Sequence, residues 1–142
     1  MIVSVVPVLL ALSLAAPQPP VWIQRAKVPQ PIVAWRLADV LGTPVVEGIA
    51  VDRDAAADTL TVSIVDSRFD PPRIVHQRDL KGSRVRWLRA GKRDGLRRGE
   101  IAVDVVDHGE ETAYLLLVRR GFRLELARTV RGHNISPDVF AH

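Results

Sequence analysis

The chain has 142 residues, 47% of them hydrophobic and 25% charged, which is room for one domain with a real core and is far from the composition of disordered polypeptides. It contains no cysteine, which excludes a disulfide frame, a thiolate metal site and a thiol nucleophile. The formal charge of +4 rests mainly on arginine and attracts anionic surfaces without identifying one.

From Ile2 to Ala16 the chain is apolar apart from Ser4, Pro7 and Ser13, and the first charged side chain is Arg25. This run is shorter than the ~20 residues that cross a bilayer as a helix. It resembles a secretory signal peptide, with Ser13 and Ala15 placed before a cut between Ala15 and Ala16, although its first residues lack Lys and Arg. Residues 1–15 are therefore read as a signal peptide and the protein as exported, periplasmic or extracellular.

Residues 16–31 carry Pro17, Pro19, Pro20, Pro29 and Pro31, each of which fixes φ and removes a donor, so the segment reads as an extended lead-in. Trp22 and Ile23 within it could pack on the domain as an edge strand. Residues 32–132 read as a β domain. Ile32 to Leu41 carries two patterns, a helical stripe of Ile32, Trp35, Val40 and Leu41 and a strand alternation of Val33, Trp35 and Leu37; the strand is preferred, and Gly42-Thr43-Pro44 ends it either way. Val45 to Asp52 reads as a strand buried on both faces. After Arg53 to Asp58, Leu60, Val62 and Ile64 point one way and Thr59, Thr61, Ser63 and Val65 the other, which predicts a hairpin with one core face and one mostly wet face.

Arg73 to Leu80 and Ser83 to Ala90 are weakly apolar and rich in charge, the pattern of edge strands protected from pairing with a second molecule. Alternation places Val85 and Trp87 opposite Arg84, Arg86 and Leu88. The glycine- and arginine-rich loop 91–99 follows. Glu100 to Val130 then gives three apolar runs with tight polar turns, a β-meander. Ile101, Val103 and Val105 face inward, Ala113 to Val118 is the central strand, and Phe122, Leu124 and Leu126 return along the core. Residues 133–142 read as a polar tail. The fold class is mainly β, a single antiparallel β-sandwich or curled sheet with a C-terminal meander.

Three constellations bear on function. Between Arg73 and Arg98 ten Lys and Arg stand against two Asp. Arg84 and Arg86 on a strand, with Arg93, Arg97 and Arg98 in the loop, could form a cationic shelf for an anionic polymer or lipid surface. Specific nucleic-acid binding is disfavoured, because Trp87 alternates to the other face. Asp52, Asp54 and Asp58 resemble calcium-ligand spacing, but the glycine and closing glutamate are missing, so a solvated hairpin loop is preferred. Asp107, His108, Glu110 and Glu111 occupy one hairpin tip, where consecutive residues cannot all converge on one atom.

No serine lies in a nucleophile elbow and no His-Glu-x-x-His occurs. The sequence reading is thus a non-catalytic binding, adaptor or envelope-structural module without a cofactor. A protein or cell-envelope partner is preferred to a small molecule. The alternatives are a polyanion binder, and a small-ligand carrier or enzyme with a pocket around Trp87, Tyr114 and His76.

Overall fold

A computed structural model of the protein describes residues 18–92 and 99–141, and the leader read at 1–15 lies outside them. A four-residue helix, α1 (Val21–Gln24), precedes eight strands: β1 (Ile32–Ala38), β2 (Glu47–Asp54), β3 (Thr59–Asp66), β4 (Arg73–Lys81), β5 (Arg84–Lys92), β6 (Gly99–Asp107), β7 (Glu110–Leu117) and β8 (Glu125–Gly132). They form two antiparallel four-stranded sheets in simple sequence order, β1-β2-β3-β4 and β5-β6-β7-β8. The fold is mainly β, as the alternation of apolar residues predicts.

The sheets meet face to face over Ile49, Val51, Leu60, Val62 and Ile64 from the first and Leu88, Ile101, Val103, Val105 and Leu116 from the second. Period-two alternation puts these branched side chains on one face of each strand, and burying that face drives the sheets together. The switch between sheets takes place at Gly82-Ser83. There Gly82 N donates to Asp58 O and Ser83 N to Val106 O, and a Cβ on Gly82 would collide with Val105. The β6–β7 turn has only two residues, His108 (φ 51°) and Gly109 (φ 80°), both in the left-handed region that a two-residue hairpin of this hand requires.

Both outer faces are covered in part, which corrects the expectation of a mostly wet face on β3. Trp22 and Ile23 belong to α1 and not to an edge strand, and Ile23 packs with Ala50 and Val65 outside the first sheet, leaving Ser63 and Val65 fully buried. Gly48 permits the approach, since a Cβ there would stand 2.7 Å from Ile23 Cδ1. On the second sheet Ile135 and Phe140 of the nominally polar tail pack against Ala113 and Leu115. Alternation alone cannot anticipate either cover, because each comes from residues remote from the strand it hides.

Each outermost strand contains one extra residue relative to its neighbour: Val33 in β1, Val75 in β4, Arg86 in β5 and Ala127 in β8. The β2–β3 and β6–β7 pairings run without a slip. Bulges confined to edges twist them away from indiscriminate pairing. The bulge at Arg86 also reverses the alternation beyond it. Leu88 turns into the core and Trp87 joins Arg86 on the outside, where alternation had placed it on the opposite face.

The returning meander strand is also divided. Phe122 to Leu124 leave β7 and bond to β4, with Gln77 N donating to Phe122 O at 2.8 Å and Leu124 N to Gln77 O at 3.1 Å. Leu124 is buried, but Phe122 and Leu126 are 55% and 37% exposed, so neither lines the core as expected. Replacing Leu116 or Leu124 by alanine is expected to cost about 2–5 kcal/mol in urea unfolding, while Leu126→Ala should cost under about 1 kcal/mol. Gly99→Ala should destabilise by about 1–3 kcal/mol, because its Cβ would stand 2.6 Å from Val40 Cα and 2.7 Å from Gly91 O, both main-chain atoms.

Candidate functional site

The two sides of the sandwich are built differently. On one, the Gln77 main-chain bonds to Phe122 and Leu124 sew β4 to the segment entering β8. On the other, β1 and β5 lie alongside each other but belong to separate sheets, with no strand pairing between them. Between them is an open cleft of about 250 Å³ lined by residues 32–36 and 85–88. Its far end is pinned by Lys92 Nζ with Asp39 Oδ2 at 3.8 Å, and by Gly99 N donating to Val40 O at 2.7 Å.

This seam carries Arg36 from β1 and Arg84, Arg86, Arg89 and Lys92 from β5, with no Asp or Glu in either strand. Arg36 and Arg84 form no ion pair with a described residue. Val33 and Leu37 on β1 are more than one-third exposed, as are Val45 and Val46 leading into β2. The seam thus offers two strand edges that no ladder joins among the described residues, with apolar side chains and cations beside them.

Of the predicted cationic shelf, Arg84 is exposed at the start of β5, whereas Arg93, Arg97 and Arg98 lie outside the described residues. Arg86 is engaged from within. Its Nη1 donates to Asp104 Oδ2 at 2.8 Å and to Glu111 Oε2 at 2.7 Å. The bulge makes this possible by aiming Arg86 over the outer face of the second sheet, towards the outward residues of β6 and β7.

Glu111 holds the C-terminal segment in turn, accepting bonds from Asn134 N at 2.9 Å and Ile135 N at 3.0 Å. Trp87 Nε1 donates to Ile135 O at 2.9 Å, and Arg89 Nη1 to Pro137 O at 2.6 Å and Asp138 Oδ1 at 2.8 Å. Residues 133–141 therefore form a strap over the second sheet, anchored by polar contacts along one side and by Ile135 and Phe140 beneath. Sequence reasoning missed the Arg86–Asp104–Glu111 cluster. The only signal for it was Asp104, a carboxylate amid the apolar run Ile101 to Val106.

The acidic candidates are redistributed. Asp54 Oδ1 accepts from Ala56 N and Ala57 N and shapes the β2–β3 turn, while Asp52 is buried on β2. Asp58 reaches across to the other hairpin tip, where His108 Nε2 is 3.9 Å from Asp58 Oδ2 and 3.5 Å from Asp107 Oδ1. Two tips from different sheets thus bring an imidazole and two carboxylates together. Glu110 is not among the three, and Glu111 serves the strap. Trp87, Tyr114 and His76 do not converge. Trp87 lies outside the second sheet, Tyr114 packs on the inter-sheet core and His76 sits on β4.

The described residues thus define an eight-stranded β-sandwich with one sewn side and one open side. Compared with known protein families, with characterised proteins and with solved structures, the chain matches none. No helix among the described residues is long and apolar enough to cross a membrane.

Burial pushes the Asp104 carboxyl above its ordinary value of 3.8, and the nearby charge of Glu111 adds to this while the Arg86 bond acts in the other direction. The Ile135 amide holds Glu111 below its ordinary 4.5 against the effect of burial, with help from Asn134 and Arg86. The bond from Arg68 similarly lowers Asp66. A carboxylate lowered on folding stabilises the fold at pH above its ordinary value, and that stability is lost as pH falls through the folded pKa. Asp104 has the opposite sign, disfavouring folding as pH rises past 3.8. Acidification below 4.5 should therefore loosen the strap before the sandwich unfolds, read as a shift in Trp87 emission by difference from Trp87→Phe. Glu111→Gln should show the loosened signal already at neutral pH, and Asp104→Asn should be at least as stable there as the parent.

Proposed function

We propose that the chain is a non-catalytic binding module that receives an extended segment of a protein partner along the open seam between β1 and β5. The observation that carries this reading is the asymmetry of the sandwich: the β4 side is sewn by main-chain bonds, while the β1–β5 side leaves two strand edges beside a cleft. Beyond its bulge, β1 pairs regularly with β2 from Ala34 to Ala38, so its other edge presents an ordered row of peptide groups suited to strand addition. Arg36 and Arg84 favour acidic side chains on the incoming segment, and Val33 and Leu37 favour apolar ones alternating with them. The apolar run at residues 2–16 supports an exported location for this module. A polyanion could use the same Arg84, but Arg86 is already neutralised by Asp104 and Glu111, which favours the polypeptide.

Panning a random displayed dodecapeptide library on the full chain tests the reading. Enriched peptides should alternate apolar and acidic residues. Their binding should weaken at least tenfold in Arg36→Glu or Arg84→Glu, and should fall with salt as exposed charges are screened. Amide exchange should slow in β1 on binding. Enriched peptides whose binding ignores both substitutions, or whose protection maps away from β1 and β5, would overturn it. Tighter seam-dependent retention of heparin than of any peptide would assign the seam to a polysaccharide instead.

A further inference from the structure

Of the four β5 residues that line the cleft, Trp87 anchors the C-terminal strap directly and Arg86 is linked to it through Glu111. Trp87 walls the cleft, and its Nε1 donates to Ile135 O at 2.9 Å. Arg86 lines the same cleft, and its Nη1 is shared between Asp104 and Glu111, while both oxygens of Glu111 accept strap amides. The bulge at Arg86 creates this double duty by turning two successive β5 side chains outward beside the edge. The strap is held further by Phe140, which packs under it near Ala113 and Leu115 with Arg128 over its ring at 5.4 Å.

We infer that residues 133–141 regulate the seam, holding Arg86 on Glu111 and Trp87 against the cleft wall when docked, and releasing Arg86 to a partner's carboxylate when lifted. The inference rests on the seam reading for its functional meaning. Its physical content is a competition for one guanidinium. Docked, the strap amides fix Glu111 in place to accept from Arg86. Lifted, Glu111 loses two of its donors and is free to turn towards water, and Arg86, still paired with Asp104, offers the donor that Glu111 vacates to an acidic side chain in the cleft. Linkage makes the effect reciprocal, so a carboxylate bound at Arg86 loosens the strap by the factor with which strap release tightens that carboxylate. Glu111 and Asp104 are strap-positioning residues in this scheme, and neither need touch the partner.

Phe140→Ala tests it, because it weakens the strap without changing any charge and lies in the C-terminal segment outside both sheets. In the isotope-labelled full chain, the Trp87 indole and Arg86 guanidinium N–H resonances should both move relative to the parent, and Glu111→Gln should move them the same way. An alternating Val-Glu octapeptide should bind Phe140→Ala about fivefold or more tightly than it binds the parent. The matching Val-Gln octapeptide should gain nothing. Unmoved Arg86 and Trp87 resonances in Phe140→Ala would overturn the inference, as would an equal gain for the two peptides. If the resonances move but neither peptide binds any form, the coupling between strap and seam side chains stands and the seam's role in binding falls.

Discussion

The burial of Ile49, Val51, Leu60, Val62 and Ile64 against Leu88, Ile101, Val103, Val105 and Leu116 is the interaction on which the rest of the molecule depends. It fixes how far apart the sheets lie and which side of every strand faces outward. Because successive strands are also neighbours, the whole arrangement follows from six local pairings and one sharp change of sheet at Gly82-Ser83. That economy has a structural consequence. A simple meander of two four-stranded sheets leaves four edge strands, and each must be dealt with separately.

The protein deals with them unequally. All four edges are bulged, and the β4 edge is additionally paired with residues 122–124. The β1 and β5 edges are brought side by side with no ladder between them among the described residues. A bulge that only discouraged aggregation could sit anywhere along β5. At Arg86 it also sends two neighbouring side chains to the outer face, where Trp87 bonds to the C-terminal strap and Arg86 bonds to Glu111, which holds that strap. Edge protection, the open seam and the strap are therefore joined at one dipeptide, Arg86-Trp87.

Buried charge is used here as attachment. Glu47 is fully buried, yet its oxygens accept from Val40 N, Leu41 N and Thr43 Oγ1, which closes the β1–β2 connection. Glu111 does the same for the strap. A carboxylate surrounded by peptide donors satisfies main-chain groups that would otherwise be buried without partners, and does so with charge-assisted bonds. Asp104 is different in kind. One of its oxygens has no hydrogen-bond partner among the described residues, and its charge is disfavoured by its burial.

The sequence by itself determined the fold class, the strand runs from β1 to β7, and the edge character of β4 and β5, because alternation and charge are local properties that survive into any sheet. It also singled out Arg84 and Arg86 as members of a cationic stretch. Only the tertiary structure decided that Arg86 is neutralised internally, since one extra residue in β5 changes which face Trp87 and Leu88 occupy and alternation cannot register an insertion. Only the tertiary structure likewise turned Trp22, Ile23, Ile135 and Phe140 into covers for the two outer faces. Their partners are tens of residues away along the chain, so nothing in their own neighbourhoods distinguishes an apolar anchor from an exposed side chain in a polar terminus.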